Sequence, residues 1–142
     1  MENALENKSI ISSKEKAELL LRAALTKKAT NPMLIRLEKL SSLTDYFLIV
    51  SARTGKQVKA VAEAILEDSR TRQMRPYSVE GLTQGHWALL DYGDVIVHVF
   101  FEPTREFYDL EGLWAEAPRE KLPDDVLQEL EAAKGQYDED EW

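Results

Sequence analysis

Residues Trp87 to Trp114 read WALLDYGDVIVHVFFEPTREFYDLEGLW. Two alternating runs, Trp87 to Leu90 and Val95 to Phe101, flank Asp91-Tyr92-Gly93-Asp94. So short a connection, with a glycine at its second central position, predicts a tight β-hairpin, because such turns need a backbone that glycine adopts without steric cost. With Tyr92-Gly93 as the turn, Asp91 pairs with Asp94, Leu89 with Ile96 and Trp87 with His98, all on one face, since strand side chains alternate. Leu90, Val95, Val97, Val99 and Phe101 take the other face, which is uniformly apolar and is assigned to the core. The first face mixes apolar bulk with two carboxylates and an imidazole, a composition suited to meeting a partner. Beyond the hairpin, Pro103-Thr104 opens a segment whose Phe107, Leu110 and Trp114 recur at helical spacing, with Phe107 and Trp114 read as core residues and Gly112 weakening the end.

Upstream, Ser12-Ser13-Lys14-Glu15 has capping-box spacing, and Ala17, Leu20, Leu21, Ala24 and Leu25 follow on one helical stripe. A helix is expected from about Ser13 to Lys28, stopped by Asn31-Pro32. Met33 to Leu37 reads as a strand, and the almost wholly apolar Tyr46 to Ser51 as an interior strand covered on both faces. Thr54-Gly55-Lys56-Gln57 caps a second helix whose Val58, Val61, Ala62 and Ile65 form its buried stripe down to about Arg72. Arg70, Arg72 and Arg75 admit two readings, a phosphate site or a solvated last turn favoured by the helix dipole, and the second is preferred. Pro76 ends this segment, Tyr77 to Glu80 is a short strand, and Gly81 to Gly85 a loop. The order α-β-β-α-β-β-β-α describes an α/β domain, a single small mixed sheet flanked by helices.

After Pro118, Leu122-Pro123-Asp124-Asp125 starts a short helix with a narrow apolar edge of Val126, Leu127 and Leu130, ended by Gly135. The chain therefore divides into a flexible N-terminus (1–11), a folded domain (12–118) and an acidic extension (119–142), partly helical or disordered, whose final residues have no reason to pack.

At 142 residues and 44% hydrophobic, the chain suits one domain with a real core. It has no cysteine, hence no disulfide framework or thiolate metal site, and it shows no apolar run of membrane-spanning length and no signal-like start. The expectation is a cytoplasmic protein. The net charge of -8 is concentrated after Pro118, where nine acidic residues face three basic ones. The near-neutral body offers no basic stripe, which disfavours broad direct nucleic-acid binding and suits a basic protein partner.

The run LLDYGDVIVHVF, then Arg105, Tyr108-Asp109-Leu110-Glu111 and Leu113-Trp114, carries a resemblance. With Ser41-Ser42-Leu43-Thr44-Asp45-Tyr46-Phe47-Leu48-Ile49-Val50-Ser51, Gln57-Val58-Lys59-Ala60 and Val79-Glu80-Gly81 upstream, it resembles the ribosomal silencing factor family, also called Iojap or RsfS. The motifs agree in order and spacing across roughly Leu19 to Trp114. Arg53-Thr54-Gly55-Lys56 departs from the family's more usual Gly-Thr-Ser type turn, and the extension after Pro118 lies outside the family's common core. The resemblance implies a layout similar to the nucleotidyltransferases. It also implies a protein that binds the large ribosomal subunit through ribosomal protein uL-fourteen, blocks joining of the small subunit, and so represses translation, for example in nutrient limitation or stationary phase.

Motif positions combined with the face argument give the candidate partner-binding residues Trp87, Leu89, Asp91, Tyr92, Asp94, Ile96 and His98, with Arg105 and Tyr108 beside them. Trp87 and Tyr92 would be aromatic anchors, and Asp91 and Asp94 the acidic complement to partner lysines or arginines. Arg105 alternatively pairs with Glu102 or Asp109 on the helix surface. Homodimerisation through a sheet face or strand edge is compatible with this reading. The rival is a nucleotidyltransferase-like nucleotide- or metal-binding enzyme with Asp91 and Asp94 holding the metal. That chemistry needs a Gly-Ser phosphate turn followed by closely spaced carboxylates, and neither is legible. No cofactor, metal ligand set or catalytic residue is expected.

Overall fold

The computed structural model describes residues 11–140, with side chains as far as Lys134. The expected flexible N-terminus, except Ile11, and the final Glu141-Trp142 lie outside the described residues. Helix α1 (Ser13–Leu25) is followed by β1 (Thr30–Arg36), β2 (Tyr46–Ala52), α2 (Gly55–Thr71), β3 (Ser78–Glu80), β4 (Trp87–Asp91) and β5 (Val95–Phe101). Then come α3 (Glu102–Tyr108), α4 (Leu110–Leu113), β6 (Arg119–Glu120) and α5 (Asp124–Asp140). The strands form one sheet in the order β3-β4-β5-β2-β1-β6. Only β2 and β5 run parallel, and every other neighbouring pair is antiparallel.

Both capping motifs set helix starts as their residues dictate. The Ser12 hydroxyl accepts from Glu15 N–H at 3.0 Å, and the Glu15 carboxylate reaches back to the Ser12 backbone. Thr54 accepts from Gln57 N–H, but the Gln57 side chain reaches the Arg53 N–H and the carbonyls of Lys27 and Lys28, tying the end of α1 to the start of α2. α1 stops short of Lys28, which takes a left-handed backbone at φ 62. At the exit of α2, Arg70 pairs with Glu67 and Arg72 with Asp68, consistent with a solvated, locally neutralised turn.

The hairpin forms with a two-residue register difference. Asp91 lies opposite Ile96, Leu89 opposite His98 and Trp87 opposite Phe100. Gly93, at φ +88, occupies the first central position, and Asp94 follows it. A shift of two residues leaves the strand side chains on their expected faces, whereas a shift of one would invert them all. Asp94, which the shift places in the turn, reaches instead to Lys16 of α1. Leu90, Val95, Val97 and Val99 accordingly pack with α1 and α2 in the main core, together with Leu48, Val50, Val61 and Ile65. The opposite face carries a smaller core of Ile35, Leu37, Phe47, Ile49, Ile96, Phe100 and Ala117, against which Leu110 and Trp114 pack.

The segment after β5 is two short helices. The break is at Asp109, left-handed at φ 45, whose carboxylate then accepts from Gly112 N–H at 3.2 Å and caps α4. The break takes Phe107 and Trp114 off a common helical face: Phe107 is 81% exposed, while Trp114 packs against the smaller core.

The chain after Pro118 packs on the body. β6 pairs with β1, Glu120 accepts from the Tyr46 hydroxyl, Arg22 forms a two-pronged ion pair with Asp125, and Val126 is 1% exposed within the main core. α5 also runs through Gly135. Deleting residues 119–142 is therefore expected to leave a folded domain less stable by about 2 kcal/mol, the scale of one buried aliphatic side chain, because the exposed ion pairs add little. A thermal midpoint lowered by several degrees would show this, and an unchanged midpoint would mean that the packing of α5 contributes nothing.

Candidate functional site

The expected partner face divides by burial. Trp87, Leu89 and Asp91 line β4 and are half-buried, and Tyr108 at the end of α3 is 53% exposed. Tyr92, Ile96, His98 and Arg105 are buried and offer no contact surface; of these, Ile96 and His98 lie beneath the face. Tyr92 continues the core side of β4, and its hydroxyl lies 2.7 Å from Ser69 Oγ on α2. Expecting Tyr92 in the turn left it free to be an anchor; the observed register draws it into the core.

Asp91 and Asp94 do not face each other. Asp91 Oδ1 accepts from Gly93 N–H at 2.8 Å, bracing the turn. Asp94 pairs with Lys16 Nζ of α1 at 2.8 Å, so its charge is already matched within the molecule. Among the described residues no group of three or more histidine, cysteine or acidic side chains is arranged to hold a metal ion.

Aromatic rings dominate the open end of this face. Trp87 lies 4.7 Å from Phe100 and 5.2 Å from Tyr108 between ring centroids, and Tyr108 meets Phe107 edge-on at 5.0 Å. A groove of about 410 Å³ lies among His86, Trp87, Pro103, Thr104, Phe107 and Tyr108. At Gly81, with φ +84, an added Cβ would stand 1.9 Å from the Trp87 carbonyl oxygen, so the loop passes this close to the start of β4 only because the residue is glycine. The sequence reading missed Phe107, Pro103 and His86 as members of this surface. The available signal was adjacency: Phe107-Tyr108 is an aromatic pair on a helix too short to bury both.

Beneath the rings, Trp87 Nε1–H donates to His98 Nδ1 at 3.1 Å. Burial pushes the His98 imidazole down to a pKa of about 4, against a smaller opposing effect of the Glu111 carboxylate. It is therefore neutral at physiological pH. On the other side of α3, Arg105 donates to Glu111, to the Asn31 carbonyl at 2.7 Å and to Ser51 Oγ at 2.7 Å. The surface pairing with Glu102 or Asp109 that spacing suggested does not form. A recess of about 270 Å³ beside Arg105 is lined by Asn31, Glu102, Glu106, Asp109 and Glu111, so α3 separates an aromatic groove from an acidic hollow.

A family model described as ribosomal silencing factor during starvation matches residues 10–141, including the C-terminal segment. The ribosomal silencing factor RsfS of Halalkalibacterium halodurans is 35% identical over 112 residues, covering 79% of this chain and 96% of that protein. The RsfS of Bacillus subtilis is 38% identical over 92 residues, 65% of this chain and 78% of that protein. A solved structure of a Chromobacterium violaceum protein superimposes with a TM-score of 0.72 at 30% identity, covering 74% of this chain and 88% of that one. Ordered motifs, a fold shared with a solved relative at 30% identity and a family match across nearly the whole sequence place this chain in the ribosomal silencing factor family.

Proposed function

We propose that this protein binds the large ribosomal subunit through the basic ribosomal protein uL-fourteen and, seated on the inter-subunit surface, sterically prevents the small subunit from joining. Repression then needs no covalent chemistry: a folded domain occupying the joining surface excludes the second subunit for as long as it stays bound. It acts in the cytoplasm, and none of its described helices is long and apolar enough to cross a membrane. The observation that carries the reading, beside family membership, is the aromatic cluster of exposed Phe107 and Tyr108 with half-buried Trp87, flanked across α3 by the acidic side chains of Glu106 and Asp109. Aromatic anchors surrounded by polar residues are what the centre of a protein interface favours, and the carboxylates complement a basic partner. Leu89 and Asp91 extend this face along β4.

Light scattering of purified subunits mixed at joining magnesium concentrations tests the proposal. Added protein is expected to suppress the rise in scattering that marks joining. Trp87→Ala is expected to abolish most of that suppression while the circular-dichroism spectrum stays folded, since loss of a central aromatic anchor costs about 2 kcal/mol or more, at least roughly thirtyfold in affinity. Subunits that join equally well with and without the protein would exclude the occlusion mechanism.

A further inference from the structure

An indole N–H donates and cannot accept, so the Trp87–His98 hydrogen bond requires an unprotonated Nδ1 and places the neutral imidazole's proton on Nε2. The imidazole is held firmly: it is 4% exposed, stacks nearly parallel to Phe100 at 12°, and meets the edge of Phe47 at 4.6 Å. Its Nε2 is buried without a hydrogen-bond partner. Burying such a group is costly, and an apolar ring at this position of β5 would avoid that cost. What imidazole supplies and phenyl does not is a single acceptor directed at the indole. Trp87 is half-buried, and its ring rests against Phe100 at 4.7 Å and Tyr108 at 5.2 Å; these contacts set its depth but engage no polar atom, so the acceptor on His98 is what fixes which way the indole N–H points.

We propose that His98 is a positioning residue of the docking face: by accepting the indole N–H it holds the Trp87 ring in one orientation beside Tyr108, ready for the partner. This rests on reading the aromatic groove as the docking surface. Holding an anchor in its bound orientation removes an ordering cost from association.

Nuclear magnetic resonance of the full chain carrying 15N-labelled tryptophan tests it, with the Trp87 indole signal assigned by Trp87→Phe. His98→Phe keeps ring bulk and removes the acceptor; His98→Asn returns an oxygen close to the Nδ1 position. In His98→Phe the Trp87 indole proton is expected to exchange with solvent about tenfold faster or more, and affinity for purified large ribosomal subunits to fall about fivefold, the value of one ordinary hydrogen bond. His98→Asn is expected to restore both towards wild type, which a merely space-filling role for His98 would not produce. An unchanged indole signal in His98→Phe, or a changed signal with unchanged affinity, overturns the role of His98. Trp87→Ala run alongside separates the two readings: if it too leaves affinity unchanged, the docking face itself is wrong, and the role of His98 falls with it.

Discussion

Replacing Arg105 by alanine is expected to destabilise the fold by roughly 3–5 kcal/mol, the range for breaking a buried charge pair by removing one partner. Arg105 is 7% exposed and joins four segments: its guanidinium, on α3, reaches Glu111 on α4, Ser51 on β2 and the Asn31 carbonyl on β1. Truncation leaves the largely buried Glu111 carboxylate without its counter-charge, and the buried Ser51 hydroxyl and the Asn31 carbonyl without their donor. Set against a total stability of about 5–15 kcal/mol for a domain of ordinary size, the loss is a large fraction. Arg105→Lys should recover part of it, because an ammonium keeps the charge but cannot address three acceptors in a fixed fork. Urea unfolding followed by circular dichroism measures the difference, and an Arg105→Ala variant within 1 kcal/mol of wild type would show that these contacts are dispensable.

The second large effect is with acid. Folding lowers the His98 pKa from 6.5 to about 4, chiefly through burial. Between those values the unfolded chain binds a proton that the folded chain refuses, so stability falls as pH falls. The contribution is complete above pH 6.5, diminishes from there downward, and is lost by about pH 4, a total of about 3 kcal/mol. Between pH 7 and pH 5 the expected loss is about 2 kcal/mol. Comparing wild type with His98→Asn isolates this change, because the carboxylates titrate alike in both. Parallel stability curves for the two proteins across that interval would mean that His98 is protonated in the folded state as readily as in the unfolded chain.

Much of this architecture is legible in the residues, and the departures have physical causes. Helix starts are local events decided by Ser12 with Glu15 and by Thr54 with Gln57, so sequence reading places them well. The hairpin is legible in kind, but Gly93 can serve either central position of a turn, and the choice moves the register by two without changing which side chains share a face. Asp109 kinks the last helical segment because its short carboxylate can cap the next turn, an option that competes with helix continuation and leaves no mark on apolar spacing. Arg105 looked like a surface residue because its acceptors, Asn31 and Ser51, are more than fifty positions away. The acidic composition of the segment after Pro118 sets it apart from the folded domain, yet Val126, from its expected apolar edge, fits the core, and a two-residue strand extends the sheet.

The same reasoning explains the division of the candidate site. Alternation correctly separates the faces, so Trp87, Leu89 and Asp91 belong to the open one. Alternation says nothing about depth. β5 lies between β4 and β2, so Ile96 and His98 are covered even though they point towards the partner side, whereas β4 lies one strand from the edge and keeps Trp87 within reach of solvent.

Sedimentation of the protein through a density cushion with purified large subunits and, separately, with small subunits tests the central claim most directly. The account predicts that the wild-type chain pellets with the large subunit alone and that Trp87→Ala, though folded, stays in the supernatant. Pelleting with the small subunit, or equal pelleting of wild type and Trp87→Ala with the large one, would contradict it.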